Sequence, residues 1–344
     1  MSSGVVPTVS VIVTTKNEER NIGACLESVA QQSIPPLEMI VVDNNSTDQT
    51  SEIAKQYGAQ VYQFGPERSA QRNYGVEHAK GQYILYLDAD MRLSQGVLKD
   101  CVNRCEADSE ISGIYIPEII VGEGFWIKVR RFERSFYDGT VIDAVRFVPK
   151  LAFQKVDGFD LRFTGPEDWD FDKKIRGLGK TVVAETNLEH DEGDFDLQDY
   201  LSKKSYYSKG FDTYTEKWGA DDPVVRKQLS PWYRFVGVFV EQGKFIKLLE
   251  HPILTLGMYY LRFRVGLVYV ASEKFISTNY VSSKTNLKHI EENQQSNQKT
   301  YYENVYSDQK SEIHFERNFD DYYIKRLLGK FNLNKESKIL EIGC

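Results

Sequence analysis

The segment YILYLDAD (83–90) ends an apolar run in two carboxylates, Asp88 and Asp90, set one residue apart. A strand that buries 83–87 must end where these acids meet water, and in an open α/β sheet that edge is where ligands bind. Carboxylate oxygens suit Mg²⁺ or Mn²⁺, which take few protein ligands and leave positions for phosphate oxygens. The pair therefore fits an ion shared with a diphosphate; an ordinary solvated turn is the alternative. A second acidic pair, Glu167 and Asp168, opens GPEDWDFDKKIRGLGK (165–180). There Phe171, Ile175 and Leu178 space as the buried stripe of a helix, with the acids in its first turn and Gly179 as its stop. Such a carboxylate can take the proton of an attacking hydroxyl, or it can simply complement the helix dipole. His190, in NLEHDEGDF (187–195), follows a β-rich stretch at 181–184, and an isolated histidine there is usually structural or solvated.

The chain before these residues supplies the frame. VSVIVTTKNEER (9–20) is a β-branched run and a polar turn, followed by Ile22, Cys25, Leu26 and Val29 at helical spacing. LEMIVVDNNSTDQT (37–50) repeats the plan, with strand residues 39–42, capping residues Ser46, Thr47 and Asp48, and a helix stopped by Gly58. A third unit has a strand at 60–64, a helix through RSAQRNYGVEHAKG (68–81) and the strand that ends at Asp88. Strands alternating with helices predict a parallel sheet, and right-handed crossovers bring Thr14, Asp43 and Asp88 to one edge.

The motifs TTKNEE, VVDNNSTDQT, QRNYG, LDAD and GPEDWDF, in this order across roughly 9–209, resemble the family-2 glycosyltransferases of GT-A fold. The resemblance implies an α/β fold with a Rossmann-like, mainly parallel central sheet flanked by helices, and an inverting transfer from a nucleotide-diphosphate sugar of UDP, GDP or dTDP type. It implies that Thr14, Thr15, Asn17, Glu18 and Asp43 line the nucleoside pocket, that Arg72 closes over base or phosphates, and that Asp88 and Ala89 lie near the ribose. Asp90 and His190 would hold Mn²⁺ or Mg²⁺, Asp168 would be the general base, and Glu167 would lie with it beneath the acceptor. Asp43 suits its place chemically, since a carboxylate can accept the ring N–H of uracil or thymine or the donors of guanine; a turn-stabilising role is the alternative. The acceptor region falls on 122–148, with Trp126 and Arg130, and on Trp169 beside the base; an amphipathic helix packed on the sheet fits 122–148 equally well. Lys203, Lys204 and Lys209 follow on a tyrosine-rich helix, where one could reach the donor phosphates or all could form a solvated face. Two departures from the family pattern stand out: Thr14 and Lys16 replace a common Pro and Tyr, and Asp157 replaces a glycine in the turn VDGFD (156–160).

With 344 residues, 43 basic and 50 acidic, the net charge is −7, which offers no global basic surface for nucleic acid. Four cysteines without disulfide or zinc spacing suit a reducing cytosol, and the N-terminus lacks an export pattern. The expected organisation is a transferase domain at 1–210 (donor half 1–90, acceptor half 91–210), a helical amphipathic extension at 211–276, a polar linker at 277–311 and a further domain beginning at 312–344. Within the extension, Trp232, Phe235, Val236, Phe239, Val240, Ile246 and Leu249 recur at helical spacing near Lys244 and Lys247. Such a helix would lie peripherally on a cytoplasmic membrane face and meet a glycan or lipid-linked saccharide acceptor; a hairpin covering the sheet or a homodimer contact is the alternative. SKILEIGC (337–344) resembles the opening strand of S-adenosylmethionine-dependent methyltransferases, which implies a fusion whose cofactor glycines would lie past Cys344; a chance match is the other reading. Two competing classes remain. A sugar-1-phosphate nucleotidyltransferase needs a glycine-rich phosphate loop that TTKNEER lacks, and a non-catalytic glycan- or nucleotide-binding scaffold would bind without turnover.

Overall fold

Val9–Thr15 (β1) is buried along its whole length, as a β-branched run in the middle of a sheet requires. It pairs in parallel with Glu38–Asp43 (β2) on one side and Tyr83–Asp88 (β4) on the other, with Thr14 opposite Asp88 and Thr15 opposite Asp43. Gln60–Gln63 (β3) adds in parallel outside β2. The computed structural model describes residues 7–208 and 210–282, and their side chains as far as 269. Within it Ile111–Tyr115 (β6), Val145–Pro149 (β8) and Lys180–Val183 (β9) complete a seven-stranded sheet of order β3-β2-β1-β4-β8-β6-β9, in which β8 runs antiparallel to its neighbours. A second sheet of three strands joins Met91–Leu93 (β5), Leu188–Asp191 (β10) and Glu118–Val121 (β7), in the order β5-β10-β7. This is the expected mixed α/β architecture, with loops after β1, β2 and β4 at one edge.

Ile22–Ala30 (α1), Thr50–Gln56 (α2), Arg68–His78 (α3) and Val97–Ala107 (α4) flank the large sheet. Ile22, Cys25, Leu26 and Val29 of α1 are fully buried against the sheet, so their spacing faithfully marks the packed face. Gly58 stops α2 with φ of +77°, a conformation that glycine adopts without a Cβ clash. Phe125–Arg134 (α5), Lys150–Lys155 (α6) and Glu167–Arg176 (α7) follow, then Leu197–Ser208 (α8), Phe211–Trp218 (α9), Pro223–Leu229 (α10), the short Val238–Val240 (α11), Ile246–Glu250 (α12) and Pro252–Ser282 (α13). α7 ends at Gly177 rather than Gly179, and Leu178 lies beyond the helix and exposed, because the chain turns early to enter β9.

The extension does not form the single helix expected between Trp232 and Leu249. A π-helical turn at Tyr233–Gly237 and a left-handed Gln242, at φ of 60°, break it into short pieces. These pieces bury Tyr233, Val238 and Phe239 against Val129 and Phe132 of α5 and Phe136 just beyond it, together with Met258 and Leu261 of α13. Helix α5 therefore packs both on the C-terminal helices and beside β7 of the small sheet, where Arg131 donates to Ile120 O at 2.5 Å. Along α13, Ile253, Leu256, Tyr260, Phe263 and Leu267 stay exposed at steps of three and four residues. Among the described residues no helix is long and apolar enough to cross a membrane. Residues 277–282, assigned to the linker from sequence, belong to α13; Lys209, 283–311 and the methyltransferase-like segment at 312–344 lie outside the described residues.

Candidate active site

The site forms where β1, β2 and β4 end. Two left-handed asparagines, Asn17 and Asn45, let the loops turn tightly there. Asn17 donates its backbone N–H to Ser46 Oγ at 2.8 Å and accepts from the N–H of Thr47 at 2.8 Å, while Glu18 donates its N–H to Thr50 Oγ1 at 2.8 Å. Ser46 and Thr47 thus stitch the two loops together instead of capping α2, whose N-cap residue is Gln49. Asp48 comes nearest to a cap, accepting the N–H of Thr50 at 3.1 Å. Asp43 is fully buried, and both its oxygens are taken: Oδ1 by the N–H and hydroxyl of Ser46, Oδ2 by Ser51 and Gln63. It braces the loops after β1 and β2 from within. Thr15 Oγ1 beside it is buried without a protein partner, and Ala89 is buried with its N–H given to Thr14 O at 3.2 Å.

Arg72 departs most from expectation. Lying on α3 with no exposed surface, it reaches Asp168 Oδ1 at 2.7 Å with one nitrogen and Asp88 Oδ1 at 3.1 Å with the other. Its guanidinium sits over the rings of Tyr86 and Phe159, at 4.9 and 5.0 Å. It ties the strand-end carboxylate to the helix carboxylate, a geometry that a planar fork supplies. Thr14 donates its hydroxyl to Asp88 at 3.0 Å on the other side. Burial opposes a charge on Asp88, but Arg72, Arg68 and Arg146 outweigh it and hold the carboxyl well below its usual range.

Arg68, one turn before Arg72 on the same face of α3, reaches Glu167 Oε1 at 3.0 Å and approaches Asp88 at 3.8 Å. Glu167 is 3% exposed, and its second oxygen accepts the N–H of Gly165 at 2.6 Å. Burial first, then the neighbouring Asp168, raises its pKa. Asp168 differs: its side chain is 24% exposed, and Oδ2 has no partner among the described residues. Of the two acids, Asp168 alone presents an oxygen to solvent, facing the edge shared with Asp88.

The small sheet places the second half of the site. His190 on β10 lies opposite Met91, and its Nε2 is 3.2 Å from Asp90 Oδ2 while Nδ1 is 2.7 Å from Glu118 Oε1 on β7. Burial disfavours the imidazolium, yet the hydrogen bonds to Asp90 and Glu118 prevail and push its pKa up to about 10. Glu118 is itself held by Arg134 at 3.4 Å and Arg146 at 3.3 Å. Asp90 Oδ1 is buried without a hydrogen-bond partner. An orphaned carboxylate oxygen beside an imidazole whose other nitrogen is fixed by a carboxylate fits a divalent cation, although no group of three or more acidic, histidine or cysteine side chains forms a complete cage among the described residues.

The expected acceptor residues are less open than their sequence positions implied. Arg130 is buried and spent on Glu133 at 2.6 Å and Glu192 at 2.9 Å, and Trp126 stacks between Phe195 and Tyr260 at 5.8 and 5.6 Å. Trp169 stacks on Phe211 at 5.5 Å, with the Arg234 guanidinium 5.3 Å above it. Arg68, Glu118 and Arg146 are the site residues that sequence reasoning missed. The four-residue step from Arg68 to Arg72 on one helix face was the available signal for Arg68; Glu118 and Arg146 lie in strands with no motif around them.

Residues 10–158 match the family model described as Glycosyl transferase family 2. EpsH of Bacillus subtilis, named as a glycosyltransferase, is 34% identical over 90 residues, which is 24% of this chain and 26% of that protein. The uncharacterized glycosyltransferase EpsJ of the same organism is 30% identical over 167 residues, 46% of each. The chain thus spans less than half the length of these two curated relatives. A mannosyltransferase from Pyrobaculum calidifontis, solved with GDP-Man and Mn²⁺, superposes with a TM-score of 0.50 at 16% identity over 88% of each chain, a likeness of fold. Residues 10–158 are thus similar to the family-2 glycosyltransferases, and the chain has a mixed α/β fold of GT-A kind.

Proposed function

We propose that this chain is an inverting glycosyltransferase that moves a sugar from a nucleotide diphosphate, of UDP, GDP or dTDP type, to a hydroxyl of a glycan or lipid-linked saccharide. The observation that carries this reading is the convergence at one sheet edge of Asp168, with a free carboxylate oxygen, and the Asp90–His190 pair, linked through Asp88 and Arg72. Asp168 accepts the proton of the acceptor hydroxyl as that oxygen attacks the anomeric carbon on the face opposite the departing nucleotide. Arg72 fixes one oxygen of Asp168 so that the other is aimed, and Arg68 with Glu167 braces the first turn of α7. Thr14, Thr15, Asn17, Glu18, Asp88 and Ala89 form the nucleoside side. Asp90 and His190 would hold Mn²⁺ or Mg²⁺, which when bound offsets charge on the leaving diphosphate. Glu118 keeps the Nε2 face of His190 directed at Asp90.

The exposed apolar stripe of α13, a helix that also carries Arg264, is the surface by which the chain would rest on a cytoplasmic membrane face near a lipid-linked acceptor. Calorimetric titration of UDP, GDP, CDP and dTDP, each with and without Mn²⁺, tests the donor reading. Metal-dependent binding of one of them is expected; binding of none would leave a scaffold module as the better description.

A further inference from the structure

A second charged cluster lies behind Trp169, built entirely from elements after the donor half. Arg130 of α5, Lys204 of α8, Arg234 of the π-helical turn and Arg262 of α13 contribute four cations, whereas the carboxylates paired within it are Glu133 and Glu192. Both carboxylates are consumed: Glu133 by Arg130 at 2.6 Å and Arg262 at 2.9 Å, Glu192 by Arg130 at 2.9 Å. Lys204 and Arg234 are left over. Their side-chain contacts among the described residues are aromatic faces, Lys204 over Tyr200 at 5.3 Å and Arg234 over Trp169 at 5.3 Å. The two cations lie close enough to repel each other, and neither is fully exposed to water. Burial, followed by the charge of Arg130, draws the Lys204 ammonium down to about 8.

Among the described residues the cluster holds four cations to the two carboxylates Glu133 and Glu192, which both act on Lys204; such a partly desolvated excess of positive charge costs stability, and a fold keeps it where an anion completes it. The cluster touches both halves of the chemistry. Trp169 adjoins the base, and Glu192 lies two residues past His190. Resting on the reading of Asp168 as base, we infer that Lys204 and Arg234 bind a phosphate or diphosphate group carried by the acceptor, while Trp169 and Tyr200 supply flat faces for its sugar or chain. The donor diphosphate is the other source of the same chemistry, but its nucleotide belongs at the β1 and β2 loops, none of whose residues enter this cluster.

The test uses the full chain with inorganic pyrophosphate as probe, titrated calorimetrically in EDTA so that the Asp90–His190 site is silent, and compares it with nucleoside diphosphates in Mn²⁺. Wild type should bind pyrophosphate in EDTA. Lys204→Met and Arg234→Met should each weaken it at least tenfold, and the double variant should abolish it. Lys204→Arg should retain binding, which separates charge from packing. Nucleoside diphosphate affinity in Mn²⁺ should stay within twofold throughout, and the ligand-free thermal midpoint of the Met variants should be unchanged or higher. Failure of wild type to bind pyrophosphate in EDTA, or undiminished binding by the double variant, would overturn the inference. A parallel fall in nucleoside diphosphate affinity would overturn it too, by assigning both cations to the donor. Nucleotide binding that persists while pyrophosphate fails sinks the acceptor inference alone; loss of nucleotide binding by wild type sinks the donor reading itself.

Discussion

Arg72 holds two carboxylates that the chain brings from residues 88 and 168, so its removal should be felt in both stability and catalysis. At the observed 2.7 Å from Asp168, the gross attraction is about 6 kcal/mol at an effective dielectric of about 20, most of it offset by burying the guanidinium. Replacing Arg72 by Met leaves Asp88 and Asp168 facing each other without the intervening cation, a change that costs about 3–5 kcal/mol for a buried pair. Asp168 is a quarter open to water, which puts the expectation near the lower end, about 3 kcal/mol. Asp168→Asn introduced on top of Arg72→Met should cost less than it does in wild type, because the ion pair is already gone; the coupling should be about 2 kcal/mol. Urea unfolding of wild type, both single variants and the double variant measures each value by linear extrapolation. Arg72→Lys should keep most of the stability but lose turnover, since one ammonium cannot hold both carboxylates in a plane. Additive single-variant effects, within about 0.5 kcal/mol, would refute the bridging role.

Asp157 occupies a left-handed position at φ of 59° in the turn before Phe159, so Asp157→Gly should stabilise the protein by about 1 kcal/mol in urea unfolding. Glu118→Gln removes the carboxylate that fixes His190 and should weaken Mn²⁺-dependent nucleotide binding by roughly 10–100-fold; calorimetry would show an unchanged affinity if Glu118 were merely structural. Burial pushes the Asp172 carboxyl up to about 7 despite Arg176 at 2.7 Å. The folded chain then holds a proton there that the unfolded chain releases near the ordinary value of 3.8, so this contribution is greatest below that value and is lost as pH rises towards 7. The loss is on the order of 4 kcal/mol. Asp172→Asn should flatten the stability profile between about pH 4 and 8, and parallel profiles for the two proteins would contradict the assignment.

Residues 9–88 were largely legible because their elements announce themselves locally. Val9–Thr15 and Glu38–Asp43 are short β-branched runs, Tyr83–Asp88 is an apolar and aromatic one, and α1 carries its buried face as a clean helical repeat. The pairing of Asp90 with His190 was legible only through motif order, since 100 residues separate them. What stayed hidden depends on tertiary placement. Arg72 within α3 and Asp43 at the end of β2 read, by resemblance, as nucleotide-facing residues, and only the closure of neighbouring loops shows that one is a buried bridge and the other a brace. The helical spacing from Trp232 to Leu249 was real, but left-handed Gln242 and the π turn overrode it. Trp126 and Arg130 read as an open surface because the residues that cover them, Tyr260 and Glu192, come from distant segments.

We propose that Asp168 acts as the base in a transfer whose donor is held elsewhere in the site. Asp168→Asn should keep metal-dependent nucleotide affinity within a few-fold of wild type while lowering sugar transfer by several orders of magnitude, because the base acts in the transition state. Measuring donor binding and single-turnover transfer on this one variant tests the account most directly. Transfer near the wild-type rate, or loss of nucleotide binding in proportion to transfer, would contradict it.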